Sequence, residues 1–218
     1  MRIFCNFANE YREQILADGF SRKRLRFLIK DGKKTFKKQT TMSKVLIISA
    51  SPRKNGNSDI LSEQFRKGAE EAGHEVETIF VRDLKLNYCI GCLACQKTGR
   101  CVLKDPMNDI LPKLMEADVI CFCTPVYYYS VSGQMKVFLD RCNPLYDRMR
   151  DKDFYYMLTA ADDDRKNLEY TMDALHGFAL CFNAIREKDR IYGAGAEAKG
   201  DVRNLPAFTE AYEMGKRI

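Results

Sequence analysis

The feature that most restricts the fold of this chain is a regular alternation of apolar, strand-length segments with amphipathic, helix-length segments. The run KVLIISA (44–50) is apolar at nearly every position, as a strand covered on both faces of a sheet has to be. The segment 58–73 then places Ile60, Leu61 and Phe65 on one helical face. Further strands are predicted at 74–81, 118–126, 153–160 and 188–195, and further helices at 106–117, 133–149, 165–183 and 205–218.

This alternation predicts an α/β fold with a parallel sheet covered by helices on both faces. Five strand–helix units in this order match the flavodoxin-like doubly wound fold, a five-stranded parallel sheet whose ligand binds beyond the carboxyl ends of the central strands. Because 45% of the residues are hydrophobic, the chain can bury a sizeable core. Residues 42–218 are therefore predicted to form one flavodoxin-like domain.

Residues 1–41 differ from the rest of the chain in charge. They carry eleven Lys and Arg against four acids, a net +7, whereas the remaining 177 residues have a net charge of −1. A basic arm for nucleic acid or a membrane surface is one interpretation. We favour a solvated N-terminal extension outside the core, because Met42 is followed directly by the first predicted strand. The near-neutral domain itself argues against nucleic acid as a partner.

The cellular setting is predicted from two kinds of segment that the sequence lacks. No run of about 18 apolar residues is present, and the N-terminus has neither the apolar stretch nor the cleavage site of a signal peptide. We expect a cytoplasmic protein with no membrane partner. In that compartment the nine cysteines are reduced, which favours metal ligation or redox chemistry over disulfides.

The turn after the first predicted strand, SASPRKNGNSD (49–59), has the composition of a phosphate-binding loop. It places Ser51, Arg53, Asn57 and Ser58 between a strand end and a helix start, where backbone N–H groups point outward and the helix dipole favours an anion. The arginine and the hydroxyls add donors suited to a phosphate. The alternative is a plain turn in which Ser58 caps the helix. The position after the first strand of this fold favours the phosphate site.

Two other phosphate motifs are excluded by their spacing. Gly56 is followed by Asn57 rather than by the Lys-Ser/Thr of a Walker loop, and the loop has one glycine where a dinucleotide fingerprint needs three. The later segment GAGAEA (193–198) fits G-x-G-x-x-A, but only about one helix of chain follows it. No βαβ unit can form there, so we discount it.

Two segments together carry a resemblance to a known family. SPRKNGNSD (51–59) and TPVYYYSVSGQMKVFLDR (124–141) look like the NAD(P)H-dependent FMN reductase family of flavodoxin-like proteins. The compact cysteine motif in YCIGCLACQKTGRC (88–101) makes the chain similar to the iron–sulfur flavoprotein branch of that family. The resemblance covers residues 43–218 and leaves 1–41 outside it.

The resemblance implies a set of FMN-binding residues. It places Ser51, Arg53, Asn57 and Ser58 on the FMN phosphate, Pro125, Val126, Tyr127 and Tyr128 beside the isoalloxazine ring, and Ala160 and Ala161 on the other side of the ring. Relatives often carry glycines in that last loop, where this chain has TAADDD (159–164). One of the three tyrosines at 127–129 is expected to belong only to an aromatic rim or a subunit interface. Neither His74 nor His176 is expected to act in catalysis, because the flavin carries the chemistry.

The spacing Cys89-x2-Cys92-x2-Cys95-x5-Cys101 admits three kinds of site. Zinc sites combine two separated Cys/His pairs and are disfavoured by four cysteines in one short loop. The spacing resembles the thiolate runs that hold [4Fe–4S] clusters, and Gly91 and Gly99 would let the loop fold tightly. Redox thiols without metal are equally open, since Cys92-x2-Cys95 has dithiol spacing. The other four cysteines that follow residue 101, Cys121, Cys123, Cys142 and Cys181, are predicted to be buried small hydrophobes.

We interpret the chain as an FMN-dependent enzyme that passes electrons from a transiently bound reduced nicotinamide, through FMN, to an acceptor in a ping-pong cycle. An iron–sulfur flavoprotein carrying electrons from a redox protein such as ferredoxin is the alternative. A metal-stabilised binding protein that uses the basic arm is a third, from another class. The expected partners are small-molecule donors and acceptors, a redox protein, and further copies of the chain in a dimer or tetramer.

Overall fold

The structure, a computed structural model, describes residues 42–218, and the basic segment 1–41 lies outside the described residues. The strands are β1 (Lys44–Ser49), β2 (Glu75–Phe80), β3 (Val119–Tyr127), β4 (Ser130–Val131), β5 (Asp153–Ala160) and β6 (Arg186–Ala194). The helices are α1 (Asn57–Glu71), α2 (Ala94–Thr98), α3 (Met107–Glu116), α4 (Gly133–Asp140), α5 (Arg165–Ala179) and α6 (Pro206–Lys216). None of the helices in this part of the chain combines the length and apolarity needed to cross a membrane.

Five strands form a parallel sheet in the order β2-β1-β3-β5-β6. This order confirms the predicted flavodoxin-like doubly wound fold, in which the chain winds in opposite directions from β1. The two-residue strand β4 was not predicted; it pairs antiparallel with the end of β3 through a tight hairpin. Since β1, β3 and β5 are parallel neighbours, the loops that follow them meet at one edge of the sheet.

The sheet separates two apolar layers that explain why its strands are apolar on both faces. Ile48, Phe122 and Phe154 face the layer that contains α3, α4 and α5. Their strand neighbours Ile47 and Cys121 face the opposite layer, which contains α1 and α6. Side chains alternate between the two faces along each strand, so both sets of positions have to be apolar when both faces are covered.

Two predicted helices end earlier than the sequence pattern suggests. The helix expected over 133–149 stops at Asp140 and is followed by a 3₁₀ turn at Asn143–Leu145, which contains a proline that cannot donate a helical hydrogen bond. The helix expected over 165–183 stops at Ala179. The prediction that Cys181 is buried is therefore wrong, because that residue lies in the exposed turn after the helix. The other three cysteines of that group, Cys121, Cys123 and Cys142, are buried as predicted.

Helices α1 and α6 approach each other so closely that their backbones touch. A Cβ atom at Gly68 would lie 2.0 Å from the carbonyl oxygen of Tyr212, and one at Gly215 would lie 2.2 Å from that of Phe65. No side chain fits in either place, so the contact requires glycine on both helices. The position of α1, which begins at the predicted phosphate loop, is set by this contact.

Candidate functional site

Three loops that carry the predicted cofactor residues lie side by side at the carboxyl edge of the sheet. The end of β1 is in register with β3 at Ser49 and Cys123, and β3 is in register with β5 at Pro125 and Thr159. Loop 50–58, the β3–β4 hairpin and the loop after β5 are therefore neighbours. In doubly wound sheets this edge is where ligands bind.

The first loop leads into a helix whose N-terminus has no side-chain cap. Helix α1 begins at Asn57, and Gly56 occupies the N-cap position, so the interpretation of Ser58 as the cap is wrong. The N–H groups of Asn57, Ser58 and Asp59 have no acceptor among residues 42–218. Free amides at the positive end of a helix dipole form a site for an anion.

The shape of this loop depends on a buried serine and a glycine. The Ser51 hydroxyl donates to the Arg53 carbonyl at 2.9 Å and accepts from the Arg53 N–H at 3.3 Å, which closes a small internal ring. A Cβ atom at Gly56 would lie 2.7 Å from that hydroxyl. Ser51 therefore shapes the loop from within, and residue 56 has to be glycine for the loop to close so tightly.

An ion pair beneath the loop fixes its backbone. The Asp59 carboxylate accepts from the Ser49 hydroxyl at 2.7 Å, from the Asn55 N–H at 2.8 Å, and from the Arg82 guanidinium at 2.7 and 2.9 Å. Asp59 and Arg82 are 7% and 12% exposed, so this pair is largely withdrawn from water. The arginine also neutralises a carboxylate that would otherwise repel an anion at the start of α1.

Two of the predicted phosphate ligands are tied to neighbouring loops. The Asn57 amide donates to the carbonyls of Ala196 and Ala198 at 3.1 and 2.9 Å and accepts from the Gly200 N–H at 2.8 Å. The Ser58 hydroxyl lies 2.7 Å from that of Thr159, at the end of β5. Both side chains therefore hold the loops after β1, β5 and β6 together.

Arg53 is the predicted ligand whose charge faces outward. Its side chain is exposed and pairs with no acid within residues 42–218. The guanidinium fork matches the geometry of a phosphate group and is free to turn toward one. The loop therefore offers two kinds of donor to an anion: the backbone N–H groups at the helix terminus and the Arg53 guanidinium.

The hairpin after β3 presents tyrosines on a strained turn. Pro125 and Val126 are half-buried, whereas Tyr127 is 43% exposed and Tyr128 is fully exposed. Tyr128 and Tyr129 have φ angles of +50° and +56°. Residues other than glycine, asparagine and aspartate adopt this left-handed conformation only at a cost in conformational energy. The Tyr129 ring packs edge-on against Tyr170 with 5.9 Å between centroids. Backbone strain of this kind is found where a protein presents a side chain to a ligand.

The third loop is held by its own backbone contacts. Ala160 is buried and its carbonyl accepts from the Ala196 N–H at 2.7 Å, while Ala161 is exposed. The Asp162 carboxylate accepts from the Asp164 N–H at 2.9 Å, which turns the chain into α5. Of the two predicted ring contacts, only Ala161 offers its side chain to the edge of the site.

The four clustered cysteines occupy unlike environments. Cys89 and Cys92 are exposed on a segment without regular structure, Cys95 is buried in the short helix α2, and Cys101 is half-buried just beyond it. Within residues 42–218, no three His, Cys, Asp or Glu side chains lie in an arrangement that could hold a metal ion. The structure therefore does not bring the four sulfurs together.

The two inner cysteines each receive a hydrogen bond from the segment that follows α4. The Asn143 amide donates to Cys95 Sγ at 3.2 Å, and Arg141 Nη2 donates to Cys101 Sγ at 3.4 Å. Arg141 also forms a doubly hydrogen-bonded pair with Asp105, at 2.6 and 2.9 Å, and the two side chains are 1% and 3% exposed. Hydrogen bonding to Arg141 lowers the pKa of Asp105 from 3.8 to about 2.

Comparison with known proteins gives a family match that spans all three of these loops. The family described as NADPH-dependent FMN reductase matches residues 43–186. This chain belongs to that family. It is 34% identical over 183 residues to a protein of Methanocaldococcus jannaschii named iron-sulfur flavoprotein, a match that covers 80% of this chain and 95% of the other.

Two further matches show how much of the chain resembles other proteins. A protein of Archaeoglobus fulgidus, also named iron-sulfur flavoprotein, is 40% identical over 101 residues, 46% of each chain. The solved structure of an NAD(P)H:quinone oxidoreductase from Methanothermobacter marburgensis superimposes with a TM-score of 0.64 at 15% identity, covering 81% of this chain and 96% of that one. The structural likeness confirms the flavodoxin-like fold, and the family match confirms the resemblance inferred from the two loops. The predicted class, an NAD(P)H-dependent FMN oxidoreductase, is confirmed at the level of the family.

Several residues that shape the site were not identified from the sequence. Asp59 could have been singled out, because an acid in the first turn beside a phosphate loop needs a compensating cation. Arg82 and Thr159 lie 23 and 101 residues from their partners, and no local pattern connects them. Arg141 and Asn143 likewise meet the cysteines only through the folded chain.

Proposed function

We propose that this chain binds FMN at the carboxyl edge of the sheet and passes electrons from NADH or NADPH through it to an acceptor. The observation that carries the proposal is the uncapped N-terminus of α1, beside the exposed Arg53, in a member of the NADPH-dependent FMN reductase family. The free amides at that terminus and the tight turn at Gly56 fit a phosphate group.

The residues of loop 50–58 have different roles in holding the phosphate. The backbone amides at 57–59 and the Arg53 guanidinium donate to it directly. Ser51, Asn57 and Ser58 contribute through the loop, since each already makes hydrogen bonds within the protein. The Ser58 hydroxyl can also donate to a bound phosphate when Thr159 supplies the proton of their mutual bond. The one hydroxyl proton of Ser51 is donated to the Arg53 carbonyl, so Ser51 would have to exchange that bond to reach the phosphate.

We place the isoalloxazine ring of FMN between the β3–β4 hairpin and the loop after β5. Pro125 to Tyr128 offer a flat, partly apolar surface and backbone N–H groups to one side of the ring, and Ala160 and Ala161 border the other. The exposed tyrosines exclude water from that side and leave room for a nicotinamide on the open face.

Bound FMN supplies the hydride acceptor and electron donor of the reaction. The protein binds and orients it, and no protonating side chain is required at the site. His74 is buried and accepts a hydrogen bond from the Ser43 N–H at 3.1 Å, and His176 pairs with Glu187 at 2.6 Å. Both histidines make structural contacts, and we propose a catalytic role for neither.

Fluorescence titration of the protein with FMN tests this proposal. Arg53→Ala should weaken FMN binding by about 1.5–3 kcal/mol, because a charged hydrogen bond is lost. Lys54→Ala, which removes the adjacent exposed charge, should change it little. Stopped-flow reduction of the bound flavin by NADH and NADPH then tests the donor. Equal FMN affinity in wild-type protein and Arg53→Ala would refute the assignment of the phosphate site.

A second candidate, an electron-transfer flavoprotein with a [4Fe–4S] cluster on Cys89, Cys92, Cys95 and Cys101, is favoured by the N–H donors on Cys95 and Cys101. Four thiolates are the usual ligand set of such clusters, and the two exposed cysteines lie on a segment without regular structure. Protein purified without oxygen should then contain about four irons and four sulfides per chain. Cys95→Ser should lose most of that iron and keep its FMN. Full flavin with no iron would instead favour redox thiols without metal.

Residues 42–218 are proposed to contain the whole FMN site, with 1–41 as an extension. A chain that starts at Met42 should fold and retain FMN, and loss of flavin in that truncation would contradict the assignment.

We further propose that the protein acts in the cytoplasm as a dimer or tetramer, with small-molecule or redox-protein partners such as ferredoxin. Light scattering measures the oligomeric state directly.

A further inference from the structure

The segment between β2 and α3 carries a local excess of positive charge. Residues 84–104 contain four basic residues and no acidic one, although the 177 residues from Met42 onward have a net charge of −1. The four are Lys85, Lys97, Arg100 and Lys104, and all are exposed. None of them forms an ion pair within residues 42–218. Their charges are therefore available to a partner.

Arg148 adds a fifth cation to this surface. Its guanidinium lies over Gly99, at the place that a Cβ atom of residue 99 would occupy. Lys97 precedes Gly99 by two residues and Arg100 follows it directly, so three cations are grouped around one turn of the chain. Like charges held this close repel one another, and a group of opposite charge relieves the repulsion. The grouping points to an anionic partner.

Large apolar side chains are exposed among these charges. Four of them lie within residues 88–102, and each is at least 47% exposed: Tyr88, Ile90, Leu93 and Val102. Exposed apolar groups concentrated in this way mark interaction sites. An apolar centre with a charged rim is the usual composition of a protein–protein interface.

Hydrogen bonds hold the two ends of this segment together. The Asn87 N–H donates to the Asp105 carboxylate at 3.0 Å. Arg141 donates to the same carboxylate at 2.6 Å and to the Asn87 carbonyl at 2.7 Å. The chain therefore leaves and returns at one buried ion pair. The charged and apolar side chains between its ends consequently belong to one loop.

We propose that residues 84–104, together with Arg148, form a docking surface for an acidic protein, which under the function proposed above would be a redox partner of the flavin. Complementary charge steers two proteins together, and apolar contacts then slow their dissociation.

The composition of this surface favours an acidic protein over two other occupants. Nucleic acids are held through phosphate contacts and through bases stacked on aromatic rings, but three of the four apolar side chains here are aliphatic. A second copy of the chain carries the same net charge of +6, so the two copies repel each other overall.

Helix α4 connects the docking surface to the proposed flavin site. The helix starts after the β3–β4 hairpin, where the Ser132 hydroxyl caps it, and Arg141 follows its last residue. Its eight residues span about 12 Å at about 1.5 Å per residue. A protein bound to the docking surface is therefore separated from the hairpin by about the length of one short helix.

Surface plasmon resonance tests the charged part of the surface, with full-length, FMN-loaded protein and two acidic probes, a bacterial ferredoxin and a flavodoxin. Wild-type protein should bind at least one of them, with an association rate that falls as salt is added. Lys97→Glu/Arg100→Glu should slow association at least about tenfold. Arg165→Glu/Lys166→Glu makes the same change in net charge at two exposed residues of α5 and should have little effect. All these proteins retain residues 1–41, so that segment does not affect the comparison.

A single substitution tests the apolar part of the surface. Ile90→Ser should raise the dissociation rate about five- to tenfold and leave the association rate nearly unchanged. Leu180→Ser is the control, because Leu180 is similarly exposed in the turn after α5.

Several results would overturn the inference. Wild-type protein that binds neither probe would do so, and so would equal slowing of association in the two double variants. Tighter binding to a short DNA duplex or to phosphatidylglycerol vesicles, lost in Lys97→Glu/Arg100→Glu, would identify a different occupant. A smaller assembly of that variant in light scattering would identify another copy of the chain. If the protein binds no FMN but still docks a probe through Lys97 and Arg100, the proposed function alone fails.

Discussion

The phosphate loop and the cysteine segment are the two regions proposed to bind a cofactor, and they differ in how far their residues are already arranged. In loop 50–58, Ser51, Asn57 and Ser58 are all hydrogen-bonded within the protein, and the free amides of α1 already converge on one place. In the cysteine segment, the inner two sulfurs have donors while the outer two lie in solvent. The loop proposed to bind phosphate is therefore already arranged, whereas the cysteine segment, as described in residues 42–218, does not bring its four sulfurs together.

This difference follows from where each segment is attached. The phosphate loop lies between a central strand and a helix, so regular structure fixes both of its ends. The cysteine segment follows β2, which is at the edge of the sheet, and it is anchored by side chains: the buried Asp105–Arg141 pair and the amides of Asn143 and Asn108. A ligand that binds the second segment has to supply the free energy that orders it.

The largest expected effect comes from breaking the anchor of the cysteine segment. Asp105→Asn leaves Arg141 buried without a counter-charge, which should lower the free energy of unfolding by about 3–5 kcal/mol. Urea denaturation measures this. Asp140→Asn is a matched control, because Asp140 pairs with Lys136 at the same 2.6 Å but in solvent. That variant should cost less than about 1 kcal/mol, and equal losses would contradict the role assigned to burial.

The same pair predicts how stability depends on pH. The pKa of Asp105 falls from 3.8 to about 2 on folding because of its hydrogen bonds to Arg141. A carboxyl group with a lowered pKa contributes its full stabilisation above the unfolded value and loses it as pH falls through the folded value. The free energy of unfolding should therefore drop more steeply between pH 4 and 2 in wild-type protein than in Asp105→Asn. Parallel curves would show that Asp105 is not the titrating group.

Adding a methyl group to the phosphate loop tests whether the shape of the loop, apart from its charge, contributes to FMN binding. Gly56→Ala places a Cβ atom 2.7 Å from Ser51 Oγ without altering any charged group. We expect FMN binding to weaken by about 1–3 kcal/mol, the cost of overpacking a tight site. Isothermal titration calorimetry measures this loss. Gly133→Ala, at a position with open space around its Cβ, is the control and should bind FMN normally.

Removing the bond between the first and third loops should have a smaller effect. Ser58→Ala leaves the buried Thr159 hydroxyl without its 2.7 Å partner, which should cost about 1–2 kcal/mol of unfolding free energy. The double variant Ser58→Ala/Thr159→Val removes both polar groups and should recover part of that loss. A double variant less stable than Ser58→Ala would show that the two hydroxyls do not act as a pair.

The smallest expected effect is a gain in stability. Tyr128→Asn replaces a residue with φ of +50° by one that tolerates this region, and should raise the free energy of unfolding by about 1 kcal/mol. FMN affinity should fall in the same variant if Tyr128 contacts the ring. Tyr129→Asn relieves similar strain but loses the contact with Tyr170, so its gain should be smaller. Thermal denaturation compares the two.

The strands were predictable because apolar periodicity is visible within single segments. The parallel sheet was predictable because these strands alternate with helices along the chain. The predicted strand 153–160 coincides with β5, and the loop at 51–58 lies where its composition suggested. Hairpin β3–β4 was missed because its turn is made by two tyrosines rather than by the Asn-Gly pair typical of such turns. The Asp105–Arg141 pair was missed because 36 residues separate partners that no local pattern links.

The backbone contact between α1 and α6 has a consequence for the order in which the protein is made. Ribosomes deliver the chain from its N-terminal end, so the amides at the start of α1 emerge long before α6. Gly68 meets Tyr212, and Gly215 meets Phe65, only after every strand of the sheet has been synthesised. The phosphate site proposed at the start of α1 is therefore completed only once the last helix has been made, and a nascent chain that stops within β6 is expected to carry no flavin.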